Sequence, residues 1–204
     1  MSNEKIDFNK ILKDSRETLL NPKEYFASMP LAGGYAEPLI KAVIYGALGG
    51  LFSVLWSVLG FSALGAGILG GAAGIMALIW GIIAGIIGVF IGGVVVLVIS
   101  AICGGNTDFE ACVRVSASLM VVYPISACVA FFYGINFTLG GVAALLVNLY
   151  GLYLLYHAII QALKGKESAM KIVAIVLLVI ALLGFFQGRR ASNTLRDFTE
   201  MYDD

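Results

Sequence analysis

Residues 42 to 107 read AVIYGALGGLFSVLWSVLGFSALGAGILGGAAGIMALIWGIIAGIIGVFIGGVVVLVISAICGGNT, sixty-six positions without one Asp, Glu, Lys, Arg or His. Gly, Ala, Ile, Leu and Val take their place. A helix crosses the roughly 30 Å hydrocarbon core of a bilayer in about 20 residues, so this stretch holds at least two crossings and the turn between them. The chain therefore reads as all-α, a polytopic transmembrane helical bundle.

Composition outside the stretch agrees. Of 204 residues, 60% are hydrophobic and 13% charged, which leaves no room for a sizeable soluble domain beside the membrane segments. Nearly all the charge lies before Lys41 and after Lys164, the net charge is zero, and no basic surface points to nucleic acid. Cys103, Cys112 and Cys128 form no C-x-x-C pair and read as small buried hydrophobes. No metal site is expected with His157 as the single histidine, and no cofactor is implied.

Met1 to Lys41 carries twelve charged residues and no apolar h-region, so it is expected to stay as a cytoplasmic segment, residues 1–38. Phe8, Leu12, Ser15 and Leu19 recur at helical spacing beside Ile11, with Lys10, Lys13, Asp14, Arg16 and Glu17 around the other side. An amphipathic helix follows, either packed on the protein's own membrane domain or lying among lipid headgroups. Pro22, Pro30, Gly33, Gly34 and Pro38 then interrupt helical continuity.

Five spans are predicted within a membrane domain of residues 39–188. The first runs from Leu39 to Gly60, with Lys41 snorkelling to the headgroups. The second covers about Gly74 to Cys103 after a break near Gly65 to Gly71, because Gly74, Ala77, Gly81, Gly85, Gly88 and Gly92 share one helical face. Small residues let membrane helices approach closely, so this stripe marks a packing seam against another helix of the chain or a second copy; a glycine-lined pore is the other reading. The third span, about Phe109 to Tyr133, is expected to kink at Pro124. The fourth and fifth run from about Thr138 to Leu163 and Met170 to Gly188, ahead of a polar tail at 189–204. With the N-terminus inside, five spans place ten Lys and Arg on the cytoplasmic side of a cell membrane against three outside; six spans give nine against four.

The polar residues near the membrane suggest one candidate site. Asp108 or Thr107 is placed to cap the third helix, and Glu110 and Arg114 stand four apart in the favourable acid-first order. Tyr150, Tyr153, His157 and Gln161 make a polar stripe along the fourth span, on the same side as Glu110 and Arg114. Interfacial charges of this kind pin helix ends or bind a ligand, and His157 either accepts a proton in a transport path or hydrogen-bonds a Tyr or headgroup. Asn136, Asn148, Ser116, Ser118 and Ser126 read as glue between helices. No H-E-x-x-H, G-x-S-x-G or Walker loop occurs, so no enzyme is expected.

Several landmarks arrive in a familiar order: Asn21-Pro22 with Phe26, Pro38 opening the first span, Gly104-Gly105 before Phe109-Glu110, Tyr123-Pro124 in the third span, and Asn148 to Ala162 ahead of lysines and a last apolar helix. Over about Pro22 to Phe186 the chain resembles the Yip domain family, the Ypt/Rab-interacting membrane proteins and their prokaryotic relatives. The resemblance implies a five-span helical domain with a cytosolic N-terminus. In eukaryotic members it implies contact with prenylated Rab GTPases and roles in vesicle traffic and membrane shaping. With only about thirty-eight residues ahead of its spans, the chain looks like the prokaryotic branch, which has no Rab system. The expected function is non-enzymatic, acting through membrane lipid, a second copy or another membrane protein. The alternative is a small transporter or channel with a polar path near Glu110, Arg114 and His157.

Overall fold

A computed structural model describes residues 8–61 and 70–202, with side-chain surroundings described for residues 8–61, 76 and 78–187. Its elements are α1 (Phe8–Leu20), α2 (Pro22–Ser28), α3 (Ala36–Val58), α4 (Gly70–Ile102), α5 (Phe109–Leu119), α6 (Val122–Val129), α7 (Phe131–Ile135), α8 (Phe137–His157), a π-helical turn (Ala158–Ala162) and α9 (Glu167–Tyr202). Among the described residues five segments have the length and apolar composition to cross a membrane: Ala36–Val58, Leu78–Ile102, Phe109–Ile135, Phe137–Ala162 and Glu167–Gln187. The protein is a multi-pass transmembrane helical bundle. α4 is one helix of 33 residues, about 50 Å long, so the glycine-rich region after residue 70 makes one crossing. The break expected near Gly65 to Gly71 falls mostly outside the described residues. α9 continues as helix to Tyr202 through the segment read as a tail.

The third span is three short helices. Pro124 lacks an amide donor and its ring crowds the carbonyl four residues back, which belongs to Met120. The helix accordingly breaks at Met120 and Val121, where the Tyr123 amide reaches back only three residues, to Met120 O at 2.9 Å. The disturbance thus lies one turn before the proline. Asn136 ends the span by capping α8, accepting from the amides of Thr138 (2.8 Å) and Leu139 (3.1 Å), so it satisfies a helix start instead of bridging helices.

Close packing of α3 on α4 is what the glycines permit. A Cβ added at Gly46 would lie 2.5 Å from Gly81 O, one at Gly81 would lie 2.8 Å from Gly46 O, and one at Gly85 would lie 2.6 Å from Ala42 O. The seam is therefore internal at Gly81 and Gly85, and it continues through Gly92, which meets Ser116 of α5. Gly88 does not belong to it: nothing lies within 4 Å of its added Cβ. Three residues advance a helix by less than a full turn, so Gly88 rotates off the line and fully buried Val89 takes the inward place. Gly74 lies among residues whose surroundings are not described.

α1 runs beside α3 in the same direction. Lys10 meets Glu37, Asp14 meets Lys41, and Ser15 Oγ lies 2.7 Å from Tyr45 Oη. α2 turns back, carrying fully buried Phe26 into a core shared with Ala111, Cys112 and Val115 of α5 and Ala158 and Ile159 of the π turn. At the same end two loops clasp: Asn106 donates to Leu163 O at 2.7 Å and Lys166 to Cys103 O at 2.8 Å. Gly105 permits the approach, since a Cβ there would meet Leu163 O and Ser100 Oγ, each at 2.7 Å.

Candidate functional site

Ion pairs gather where α1 and α2 cover the charged ends of α3 and α5. Glu37 and Lys41 are one helical turn apart and pair at 3.0 Å. Lys41, 3% exposed, also reaches Asp14 at 3.1 Å and Tyr25 Oη at 3.2 Å. It does not snorkel to headgroups, because α1 and α2 close over it and supply the acceptors that water would otherwise give. Tyr25 Oη in turn lies 3.0 Å from Ser118 Oγ. The ammonium group thus joins α1, α2 and α3, and Tyr25 carries the contacts on to α5.

Arg114 completes the cluster, 6% exposed. Its Nε donates to Pro30 O at 2.8 Å, Nη1 to Gly34 O at 2.9 Å and Nη2 to Glu37 Oε2 at 2.7 Å. A guanidinium suits this geometry because its donors are fixed in a plane. The loop between α2 and α3 presents its carbonyls through Gly33 (φ 130°) and Gly34 (φ 82°), conformations that side-chain-bearing residues rarely adopt. Glu110 is not the partner of Arg114. Its Oε1 instead accepts from the Gly34 amide at 2.6 Å, so the glycine turn sits between two residues that the helix alone would pair. Asp108 does cap α5, accepting from the Ala111 amide at 2.9 Å.

The stripe on the fourth span forms a second, separate group. Tyr150 donates to Leu19 O of α1, and its ring lies 5.8 Å from that of Tyr153. His157 meets Tyr153 and Tyr156 edge-on at 4.7 and 5.6 Å, and its buried Nδ1 has no hydrogen-bond partner among the described residues. Gln161 lies in the π turn. Among the described residues no hydrogen bond joins this stripe to Glu110 or Arg114, and Phe26 packs in a core shared by α5 and the π turn. The polar site predicted as one is therefore two.

The sequence singles out neither Glu37 nor Tyr25, and it reads Asp14 as part of a charged helix face and Lys41 as a snorkelling residue, both outside the candidate site. The Glu37 and Lys41 spacing across Pro38 was the available signal, whereas the approach of Asp14 and Tyr25 depends on how α1 and α2 fold back. Burial pushes the Cys103 thiol above its ordinary pKa, and its Sγ lies 3.8 Å from Met170 Sδ, as befits a packing residue. Among the described residues no group of three or more His, Cys, Asp or Glu is arranged to hold a metal ion. The cavity between Tyr25, Glu37, Lys41, Arg114 and Ser118 measures about 10 Å³, room for one water at most. Chemically, the cluster fastens; on its outer side a second, open cavity of about 280 Å³ lies among Lys10, Lys13, Asp14, Glu24, Tyr25 and Glu37.

The family model described as the Yip1 domain matches residues 16–187, from the second half of α1 to the end of the apolar part of α9. No curated protein and no solved structure matches the chain.

Proposed function

Because the chain belongs to the Yip1 domain family, we propose that it acts without catalysis, organising the membrane around it through the outward face of its N-terminal helix. The observation that carries this is the split of α1 into two faces. Ile11 and Thr18 are buried against the bundle, while Phe8, Leu12 and Leu20 are 66%, 71% and 65% exposed. Exposed Lys13, Arg16 and Lys23 accompany them. α1 descends along α3 from Glu37 to Tyr45, about 12 Å into a spanning helix, so its apolar face is offered at the depth of the lipid interface. Apolar side chains entering the acyl boundary with basic groups among the headgroups is how an interfacial helix binds an anionic leaflet.

On this reading the charge cluster is the clamp that holds α1 at that depth. The N-terminal end faces the cytoplasm of a prokaryotic cell, in keeping with the ten-to-three distribution of Lys and Arg. The transport alternative draws less support: the donors of Arg114 are satisfied within the chain, and among the described residues no hydrogen bond joins the stripe with His157 to Glu110.

Spin labels at Phe8→Cys and Leu12→Cys, with native cysteines replaced by alanine, test the proposal in vesicles of phosphatidylcholine with about a third of phosphatidylglycerol. Oxygen should relax both labels more than an aqueous nickel reagent does, with the reverse at Lys13→Cys. Labels at 8 and 12 that respond to nickel as strongly as the label at 13 would rule out leaflet insertion and point to a protein partner on this face.

A further inference from the structure

α8 and α9 form the least covered flank of the bundle. Within an apolar stretch of 18 residues in each span, 11% of the fourth and 6% of the fifth are buried, against 28–33% in the other three. An open groove of about 570 Å³ runs between them, walled by side chains such as Phe137, Leu145 and Ile180, with Asn148 among them. Asn148 is exposed, lies midway along the Phe137–Ala162 span, and has no hydrogen bond to any described residue. The sequence reads it as glue between helices, yet among the described residues there is nothing for it to join.

A carboxamide brings two donors and an acceptor into hydrocarbon, and leaving them unpaired there costs several kcal/mol. An acyl chain has the bulk to fill the groove but offers the amide no partner. What covers this flank must present a polar group at the same depth. A second copy in the same orientation does so by construction, since its own Asn148 sits at that level. A carboxamide also complements itself, donating and accepting across a two-fold axis along the membrane normal. Ala144, one turn from Asn148, lines the same groove with a small side chain, while Gly141 and Gly151 face Phe185 and Val122 of the same chain.

We propose that Asn148 is the centre of a self-association interface, in which two copies meet through the groove of α8 and α9 and exchange side-chain amide hydrogen bonds. The inference is independent of the role assigned to α1, which lies on other elements. Energy transfer between donor- and acceptor-labelled full-length protein, diluted with phosphatidylcholine in vesicles, measures it. Wild type should associate, Asn148→Leu should weaken association by about three- to thirtyfold, and Asn148→Gln should retain most of it. Oxidation of Ala144→Cys, with native cysteines replaced by alanine, should link two copies, whereas Ile91→Cys on the exposed face of α4 should not.

Equal association of wild type and Asn148→Leu would overturn the proposal, as would absence of wild-type association throughout the dilution. So would an Ala144→Cys crosslink in native membranes that goes to a different protein. Native mass spectrometry showing a lone copy that retains a lipid in wild type and loses it in Asn148→Leu would assign the groove to lipid instead.

Discussion

Arg114 Nη2 donates to Glu37 Oε2 at 2.7 Å, and that bond ties the third span to the first at the end where the N-terminal helices fold over both. The same carboxylate holds Lys41 through its other oxygen at 3.0 Å. Glu37 thus stands between two cations that are almost wholly buried, and either cation without it is a charge removed from water.

Arg114→Ala should consequently destabilise the protein by about 3–5 kcal/mol, the usual cost of breaking a buried ion pair from one side. Arg114→Lys should recover only part of this, since one ammonium cannot reach Pro30 O, Gly34 O and Glu37 in the plane that the guanidinium fills. Denaturant titration of the detergent-solubilised protein, followed by circular dichroism, gives both values. Equal stability of wild type and Arg114→Lys would show that the fork geometry contributes nothing.

The helix seam makes a sharper contrast between glycines. Gly46→Ala places a methyl group 2.5 Å from the Gly81 carbonyl oxygen, a backbone atom that cannot swing aside, so α3 and α4 must separate. Gly88→Ala meets open space. Overpacking costs about 1–3 kcal/mol, and the helix preference for Ala over Gly makes the second change neutral or slightly stabilising. The two variants, unfolded side by side, should therefore differ in sign or at least by more than about 1 kcal/mol.

These cases show what the sequence made legible. Spans follow from a one-dimensional property, the length of apolar runs against bilayer thickness, and the five segments predicted agree within a few residues with the five apolar segments found. The seam was readable at Gly81 and Gly85 because helical spacing aligns them, but Gly88 depended on where the neighbouring helix crosses. Glu110 and Arg114 obeyed the four-residue rule and still parted, because a turn from Pro30 to Gly34, remote in sequence, entered between them. Asp14 and Lys41 met for the same non-local reason. Local rules predicted local structure, and the partners brought in by chain topology lay beyond them.

Lys41 carries the attachment of α1. In Lys41→Met the side chain remains long and apolar, but Asp14 loses the ammonium it pairs with and Tyr25 one of its bonds. α1 should then open while the spans stay folded, since the seam of α3 and α4 does not involve this group. Hydrogen exchange of the α1 amides should speed up by tenfold or more, equivalent to at least about 1.4 kcal/mol of lost attachment, with α4 and α5 unchanged. Uniform acceleration across the bundle would mean that Lys41 holds the whole fold and not the N-terminal segment.

If the His157 stripe is architectural, changing it should not touch permeation. Proton flux into vesicles carrying the protein should stay at the level of protein-free vesicles for wild type, His157→Ala and Glu110→Gln alike. A flux that wild type supports and both variants abolish would revive a path through the fourth span despite the Phe26 core shared by α5 and the π turn.

Trp56 illustrates how a broken membrane helix satisfies itself. α6 ends at Val129, and the Ala127 carbonyl receives a long, three-residue bond from the Ala130 amide at 3.3 Å. Trp56 Nε1 supplies the second donor at 2.8 Å while its ring packs between Phe52 and Phe131 at 6.2 and 5.2 Å. Trp56→Phe keeps the aromatic packing and removes the donor, so the loss reports the hydrogen bond. A carbonyl left short of partners inside a bilayer costs about 1–3 kcal/mol, and the variant should unfold earlier by that amount in a denaturing-detergent titration. If stability is unchanged, the Ala130 amide alone satisfies the carbonyl, and the indole at this position serves packing only.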